Sequence, residues 1–161
     1  GTFFKERLLV PIFNKEGRMM NVEARDVTRK QTAKCLYPRG TIKTIYEHWK
    51  LDVSKPLYIV EGLMDLAVLR SDDFFVNSSA IFGVQVTEYQ IRILNTFSEI
   101  IIIPDNDEAG RRSVEDLRRR LKTKFGVWKI GASFIKDVGE IPLNRTTIKD
   151  FRESGNFLIE H

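Results

Sequence analysis

The chain has 161 residues, a length that fits one compact domain with a small accessory lobe, and its 42% hydrophobic and 30% charged residues are typical of a globular protein. No apolar run approaches the roughly 20 residues that a membrane-spanning helix needs, and no signal-peptide pattern opens the chain. Cys35 is the only cysteine, and with two histidines it cannot form a four-ligand zinc site or an internal disulfide. These features predict a cytoplasmic protein with no membrane partner and no zinc.

Positive charge is concentrated in the first third of the chain. Residues 1–50 contain eleven Lys and Arg against five Asp and Glu, a net charge of +6, whereas residues 51–161 have a net charge of −2. A basic segment of this kind favours a polyanion such as nucleic acid. The candidate contacts include Arg7, Arg25, Lys30 and Lys34, although surface cations commonly face only solvent.

The first 50 residues are predicted to form a small basic lobe. Two apolar segments, 7–13 and 18–25, flank the turn-like residues 14–17, which predicts a β-hairpin. Residues 26–40 are polar and are expected to form a loop. A short helix is expected over residues 41–50.

From residue 51 onward, short apolar strands alternate with helices. Strands are predicted at 57–60, 80–82, 100–103 and 128–135, and helices at 63–70, 87–97 and 109–125. This alternation predicts an α/β fold over residues 51–141, with a parallel sheet covered by helices on both faces, followed by a helical extension over 142–161. In the third helix, apolar spacing directs Val114, Leu117, Leu121 and Phe125 inward and leaves Arg118–Arg120 toward solvent.

Acidic residues follow three of the predicted strands. Glu61 and Asp65 come after the first, Asp105 and Asp107 after the third, and Asp137 after the fourth. Because the carboxyl ends of parallel strands lie along one edge, the five carboxylates are expected to meet there. Two carboxylates about 4 Å apart repel by about 4 kcal/mol at an effective dielectric constant near 20. Oxygen ligands without His or Cys favour Mg²⁺ or Mn²⁺, so this edge is predicted to bind one of these ions.

Three of these acids also have a purely structural interpretation. Asp107 has the right position to cap the helix that begins near residue 109, because Asp is a preferred N-cap residue. Glu61 is equally consistent with a strand-end carboxylate in solvent, and Asp65 with an exposed helix residue.

Two segments together resemble the TOPRIM signature, a Glu motif followed about forty residues later by an Asp-x-Asp motif. They are residues 60–65, VEGLMD, and residues 103–110, IPDNDEAG. The TOPRIM domain is shared by bacterial-type primases, type IA and type II topoisomerases and some nucleases. Segments 7–36, 80–87 and 136–141 are in turn similar to the basic lobe, the Gly/Thr segment and the third acidic motif of bacterial and phage DNA primases.

The resemblance implies a TOPRIM-type, Rossmann-like sheet and the catalytic core of a primase. Such an enzyme synthesises short RNA primers on single-stranded DNA from ribonucleoside triphosphates, and a replicative helicase is a further expected partner through regions outside this chain. The family's third motif often carries a second acid where this chain has Gly139. This departure bears on the number of metal positions.

The resemblance also implies roles for individual residues. Glu61, Asp105 and Asp107 correspond to the catalytic and metal-binding acids, and Asp65 and Asp137 join them as further metal-binding positions. Contacts with template or nucleotide are implied for Arg7, Arg25 and Lys34.

Two other functions remain open at this point. The first is a nuclease or topoisomerase of the same domain class. A nuclease can use the same five acids. A topoisomerase needs a catalytic tyrosine, and the sequence pattern identifies none of the four tyrosines in this chain as one. The second is a non-catalytic module that binds nucleic acid and whose acids are structural.

Overall fold

The computed structural model describes residues 4–83, 85–129, 137–141 and 152–153, together with the backbone of residues 159–160. No helix in this part of the chain is long and apolar enough to cross a membrane. The chain divides into two compact units, Gly1–Ile42 and Lys43–His161. Most of the predicted extension over 142–161 lies outside the described residues.

The first unit is an antiparallel sheet in the order β1-β2-β3, formed by β1 (Arg7–Phe13), β2 (Met19–Asp26) and β3 (Cys35–Leu36). The predicted hairpin is therefore confirmed. Its turn is held by the Asn14 side chain, whose Oδ1 accepts the backbone N–H groups of Glu16 and Arg18. The prediction of a loop over 26–40 was wrong at β3, because a two-residue strand is too short to show the alternation by which strands are found in sequence.

The second unit is a five-stranded sheet in the order β5-β4-β6-β7-β8. Its strands are β4 (Pro56–Val60), β5 (Ser78–Ala80), β6 (Glu99–Ile102), β7 (Lys124–Trp128) and β8 (Ile159–Glu160). Its helices are α1 (Leu63–Leu69), α2 (Glu88–Leu94) and α3 (Glu108–Arg120). The first four strands are parallel, and β8 pairs antiparallel with β7. The predicted α/β class with a parallel sheet is confirmed.

Both faces of this sheet are buried, which explains why its strands are continuous apolar runs rather than alternating ones. On one face, Leu57, Ile59, Ile100 and Ile102 belong to a buried cluster that also contains residues of α2 and α3. On the other face, the Phe75 ring lies 5.1 Å from the rings of Tyr58 and Trp128. Because β4, β6 and β7 are parallel, the acids that follow them lie at one edge of this buried sheet.

The junction between α3 and β7 differs from the prediction. Helical spacing through Phe125 predicted a helix over 109–125 and a strand over 128–135, but α3 ends at Arg120 and β7 begins at Lys124. Thr123 Oγ1 donates to the carbonyls of Phe97 and Ser98, which turns the chain into the sheet, and Phe125 pairs with Ile100. Phe125 is thus inward as predicted, but in a strand. Residues 130–136 lie outside the described part of the chain.

Two smaller predictions also need correction. The helix expected over 41–50 is only a 3-10 turn at His48–Lys50. Arg120 does not face solvent, because its guanidinium donates to the Val86 carbonyl and forms ion pairs of 2.6 Å with Asp116 and Glu88. The side chain of Arg120 is 24% exposed, against 74% for its neighbour Arg119. Arg120 joins α3 to the start of α2, a contact between elements that helical periodicity does not reveal.

Candidate functional site

Glu61 directly follows the carboxyl end of β4, where the chain turns into α1. Its backbone carbonyl accepts the N–H of Gly83, at 3.2 Å, from the segment that follows β5. That segment turns sharply, since Phe82 and Gly83 both have positive φ, a conformation that is costly for phenylalanine. Among the described residues of the predicted Gly/Thr segment, Gly83 therefore fixes the backbone of Glu61 through this hydrogen bond.

Asp65 lies in the first turn of α1 and is not the exposed helix residue of the alternative interpretation. Its Oδ2 accepts the backbone N–H of Gly62 at 3.0 Å, and its Oδ1 accepts the backbone N–H of Gly139 at 2.9 Å. One carboxylate thus joins the turn after β4 to the segment that follows Asp137.

Asp137 is buried, and it precedes a 3-10 turn at Val138–Glu140. A Cβ atom added to Gly139 would lie 2.6 Å from Asp65 Oδ1 and 3.2 Å from Asp137 Oδ1, so the two carboxylates border the same point. The absence of a second acid at this position is therefore consistent with the local packing. A side chain at residue 139 displaces Asp65.

Asp105 and Asp107 lie in the loop between β6 and α3. Asp107 is the N-cap of α3, and its Oδ1 accepts the backbone N–H of Gly110 at 2.9 Å, so the structural interpretation of Asp107 is confirmed. A Cβ atom on Gly110 would lie 2.2 Å from the Asp105 carbonyl oxygen, because the Asp105 backbone lies directly against the first turn of α3. This close approach requires glycine, and it fixes where Asp105 lies.

The capping role of Asp107 does not remove it from the acidic edge. Burial, together with the charges of Asp105, Asp107 and Asp65, raises the pKa of Glu61 to about 7, although a backbone hydrogen bond from Asp105 acts in the opposite direction. Four carboxylates therefore influence one another at the carboxyl ends of β4 and β6.

Glu61 is the least satisfied member of this group. Its Oε1 is buried and has no hydrogen-bond partner among the described residues. An acceptor oxygen that is buried, unpaired and surrounded by negative charge is unfavourable unless a proton or a cation compensates it.

The donor set suits a hard divalent cation, because it consists of carboxylate oxygens. In the described residues, however, no three acidic, histidine or cysteine side chains stand close enough to a common point to hold an ion. The five predicted acids lie along one edge of the sheet. Asp65 and Asp137 both border Gly139, and Asp105 and Asp107 lie in the loop between β6 and α3. Coordination by three of them needs side-chain rotation toward Glu61.

The predicted nucleic-acid contacts all lie in the first unit. Arg7 pairs with Asp26, and Leu8 pairs with Arg25, across β1 and β2. Because opposite residues share a face and successive residues alternate, Arg7 and Arg25 lie on opposite faces of this sheet. Arg7 also donates to the Ala24 carbonyl at 3.1 Å. Lys30 and Lys34 are exposed.

Glu23 is a residue of this unit that sequence reasoning missed. It is 1% exposed, accepts a hydrogen bond of 2.7 Å from the Tyr37 hydroxyl, and lies 3.9 Å from Arg25 Nη1. Together with burial, its charge raises the pKa of the Cys35 thiol to about 11. The available signal was the spacing of Glu23 and Arg25, two residues apart in a strand and hence on one face.

Two curated DNA primases are related to this chain in sequence. The one from Lactococcus lactis subsp. lactis (strain IL1403) is 28% identical over 123 residues, which cover 69% of this chain and 19% of that protein. The one from Synechococcus elongatus (strain ATCC 33912 / PCC 7942 / FACHB-805) is 26% identical over 171 residues, covering 93% of this chain and 24% of that protein. The chain therefore spans about a fifth to a quarter of the length of these relatives.

Solved structures of primases share the fold. The Aquifex aeolicus primase, with its zinc-binding and RNA polymerase domains, matches with a TM-score of 0.71 and 20% identity, covering 96% of this chain and 41% of that one. The primase fragment of the bacteriophage T7 primase-helicase matches with a TM-score of 0.67 and 19% identity, covering 90% and 61% of the two chains. At these identities the similarity establishes the fold.

A family model described as Toprim-like matches residues 58–141, which contain Glu61, the Asp105–Asp107 loop and Asp137. The match spans more than half of the chain and includes β4 to β7 of the parallel sheet. The chain belongs to the Toprim-like family.

Proposed function

We propose that this chain is the catalytic core of a DNA primase, which synthesises short RNA primers on single-stranded DNA by metal-dependent nucleotidyl transfer. Three observations support the proposal. The chain belongs to the Toprim-like family, both related curated proteins are DNA primases, and the acids of the predicted motifs lie at one edge of the parallel sheet.

The observation that carries the proposal is the environment of Glu61. Its buried Oε1 has no partner among the described residues, and Asp105, Asp107 and Asp65 surround the carboxylate with negative charge. A purely structural acid is expected to have its hydrogen bonds satisfied. A carboxylate with one buried oxygen left without a partner, beside three other carboxylates, fits a site that a cation or a reacting group completes.

We assign the metal ligands to Glu61, Asp105 and Asp107, with Mg²⁺ or Mn²⁺ as the ion. Asp65 and Asp137 add negative charge, and further oxygen ligands, at the same edge. Bound there, divalent cations would activate the attacking 3′-hydroxyl and neutralise charge on the leaving pyrophosphate.

The chain's own side chains position and deprotonate the reactants. Asp107 fixes the loop through its cap on α3, and this in turn places Asp105 against the sheet edge. Glu61 either completes the metal shell or accepts the proton of the attacking hydroxyl at Oε1. A pKa of about 7 suits a general base that works near neutral pH.

We assign the contacts with template and nucleotide phosphates to the first unit, Gly1–Ile42, which we call the basic unit. The chain has no Gly-x₄-Gly-Lys-Ser/Thr loop, so Lys and Arg side chains must hold the phosphate groups together with the metal. We assign these contacts to Arg7, Arg25, Lys30 and Lys34. The opposite-face placement of Arg7 and Arg25 implies that they contact different phosphates.

The proposal carries two consequences for partners and location. The T7 protein with the same fold is a primase-helicase, which supports a replicative helicase as the partner of the whole protein to which this core belongs. A primase acts where DNA is replicated, so we place the chain in the cytoplasm, or in the host cytoplasm if it is of phage origin.

One experiment separates this function from its rivals. The protein is incubated with Mg²⁺, labelled single-stranded DNA and all four ribonucleotides, and the products are resolved by size. RNA products whose synthesis depends on the ribonucleotides support the primase. Shortened DNA instead identifies a nuclease, and binding without any change in either strand identifies a non-catalytic module. Omission of Mg²⁺ serves as the control for metal dependence.

A further inference from the structure

Four polar side chains lie together in the basic unit, and we call them the Glu23 cluster: Glu23, Arg25, Cys35 and Tyr37. Glu23 and Arg25 are two residues apart in β2, so they share a face of that strand. Arg25 pairs directly with Cys35 of β3, and Tyr37 follows two residues after Cys35. The register of β2 and β3 thus brings an acid, an arginine, a thiol and a phenol together.

The Glu23 carboxylate is fixed within this cluster. Its side chain is 1% exposed, and its Oε2 accepts a hydrogen bond of 2.7 Å from the Tyr37 hydroxyl. The Cys35 Sγ donates to its Oε1 at 3.5 Å. Burial, together with the charge of Glu23, raises the pKa of the Cys35 thiol to about 11 and raises the pKa of Tyr37 above its usual value. Both groups therefore keep their protons at neutral pH, and Glu23 carries the only negative charge among the four.

Arg25 is the cation of the Glu23 cluster. Its Nη1 lies 3.9 Å from Glu23 Oε1 and 3.9 Å from Cys35 Sγ, and its side chain is 20% exposed. Within the described part of the chain, its polar contacts all involve Nη1. Because a guanidinium has five N–H donors, those of Nε and Nη2 remain for another acceptor. A phosphate suits them, since it accepts two parallel hydrogen bonds from arginine.

The geometry of the pair orients Arg25 without saturating it. At 3.9 Å the two charges attract each other, whereas a charge-assisted hydrogen bond between arginine and carboxylate is about 2.7–2.9 Å long. Lys30 and Lys34, in contrast, are exposed, and a long exposed side chain loses its rotational freedom when it binds a ligand. Arg25 has lost part of that freedom before any ligand arrives.

We propose that Glu23 is a positioning residue for Arg25. Its buried carboxylate, held by the Tyr37 hydroxyl, fixes the guanidinium so that the remaining N–H groups meet one phosphate of the template or of a nucleotide. The role assigned to Glu23 rests on the proposed function, because it requires Arg25 to contact a phosphate. It gives a buried acid a part in binding a polyanion, an effect opposite to that of its charge alone.

The test is Glu23→Gln in the whole chain, with the Kd for single-stranded DNA measured by fluorescence anisotropy. This change keeps the size of the side chain and an acceptor for Tyr37, and it removes the charge. Loss of a negative charge by itself favours binding to a polyanion. Loss of positioning should instead weaken binding about fivefold, the usual effect of immobilising one more long side chain. Glu16→Gln, the same charge change on a half-exposed side chain of this unit, is the matched control and should not weaken binding.

A double-mutant cycle with Arg25→Ala separates positioning from a merely structural role. In the Arg25→Ala background, Glu23→Gln should no longer weaken DNA binding, because there is no guanidinium to position. A structural role of Glu23 would weaken binding in both backgrounds. Titration of the same variants with ATP distinguishes the two sources of the phosphate. Dependence on Glu23 in the DNA titration assigns it to the template, and dependence in the ATP titration assigns it to a nucleotide.

Side-chain relaxation gives a readout that needs no nucleic acid. The ¹H–¹⁵N NOE of the Arg25 Nε–H group should be high in the parent, and in Glu23→Gln it should fall toward that of the exposed Arg18. Tyr37→Phe is a second variant, which keeps the charge of Glu23 and removes the hydrogen bond of 2.7 Å. It should also increase the mobility of Arg25 and weaken binding by a smaller factor.

The positioning role is overturned if Glu23→Gln binds both ligands as tightly as Glu16→Gln does, or if it weakens binding equally with and without Arg25. Equal mobility of Arg25 in the parent and in Glu23→Gln overturns it as well. The proposed function survives each of these results, because binding by the parent is measured in the same titrations. A parent that binds neither single-stranded DNA nor ATP contradicts both the positioning role and the proposed function. Thermal unfolding confirms that each variant is folded.

Discussion

Asp65 Oδ1 accepts a hydrogen bond of 2.9 Å from the backbone N–H of Gly139, which lies 74 residues farther along the chain. The other oxygen of the same carboxylate accepts the Gly62 N–H. This pair of contacts connects the Glu61 turn to the segment that carries Asp137. The Asp65 side chain therefore positions both the Glu61 turn and the Asp137 segment.

The Asp65–Gly139 contact predicts the effect of adding a single methyl group. In Gly139→Ala, the new Cβ would lie 2.6 Å from Asp65 Oδ1, so the carboxylate must rotate and lose its hydrogen bonds. We expect the free energy of unfolding to fall by about 1–2 kcal/mol. Chemical denaturation measures this loss.

A double-mutant cycle shows whether Asp65 causes that loss. In an Asp65→Ala background, the main clash is absent, so Gly139→Ala should cost much less than it does in the parent. Equal costs in the two backgrounds would show that the contact has no influence. Glu140→Ala, at an exposed neighbouring position, is the control.

Glu61 predicts a pH dependence of stability in the metal-free protein. Its folded-state pKa of about 7 lies above the ordinary value of 4.5, so the folded protein retains a proton that the unfolded chain releases. The stabilising contribution of this proton is fully present below pH 4.5 and is lost as the pH rises toward 7. Because the carboxyl is only partly buried, we expect a loss of about 1–2 kcal/mol after solvent screening.

Denaturation in EDTA at pH values from 4 to 8 measures this effect. Glu61→Gln carries no titrating group, so the difference in unfolding free energy between parent and variant should change across that window. A difference that stays constant from pH 4 to pH 8 would mean that Glu61 titrates normally. Added Mg²⁺ should reduce the dependence in the parent.

The parallel sheet could be predicted from the sequence, because strands that are buried on both faces are continuous apolar runs. Four such runs, separated by helical segments, occur in this chain. The sequence also predicted the cap at Asp107, since capping depends on local residue type and position. The end of α3 was not predictable in this way. Phe125 fits helical spacing as well as it fits a strand, and only the contacts of Thr123 with Phe97 and Ser98 decide between them.

The site shows the same division between local and long-range information. Glu61 and Asp105 follow strands and were identified by position, whereas the burial of Glu23 depends on β3, a strand of two residues. The need for glycine at Gly110 and Gly139 comes from contacts with Asp105 and Asp65, which are formed only in the folded chain.

The basic unit predicts weak, salt-sensitive binding of single-stranded DNA. Each phosphate contact that is lost should reduce the slope of log Kd against log salt concentration by about 0.7. We expect this change, with weaker binding, in Arg25→Ala and in Lys34→Ala. Fluorescence anisotropy at several salt concentrations measures it.

Arg119→Ala is the matched control for these two variants, since Arg119 is exposed, ion-paired with Asp116 and located on α3. Its affinity and salt slope should equal those of the parent. If Arg119→Ala abolishes binding while Arg25→Ala and Lys34→Ala leave it unchanged, the nucleic-acid surface has been assigned to the wrong unit.

The acidic edge predicts where a divalent cation binds. Titration with Mn²⁺ should broaden the amide resonances of residues 61–65, 105–107 and 137 first, because a paramagnetic ion affects the nuclei nearest to it. The affinity should be weak, since such ions retain water and usually need substrate phosphates to complete their shells. Excess Mg²⁺ should reverse the broadening, and broadening restricted to acids elsewhere on the surface would rule out this site.

The most direct test of the central claim is primer synthesis by Asp105→Asn, in this chain or in its parent protein, measured beside its unfolding in EDTA. The change removes one charge from a self-repelling group while retaining shape, so stability should hold or rise. It also removes a metal ligand from a reaction that depends on the ion for several kcal/mol, so synthesis should fall about a hundredfold or more. Asp73→Asn, at an exposed acid outside the edge, should leave both unchanged. Near-normal synthesis by Asp105→Asn, or a loss that only follows unfolding, would contradict the assignment of this edge as the catalytic centre.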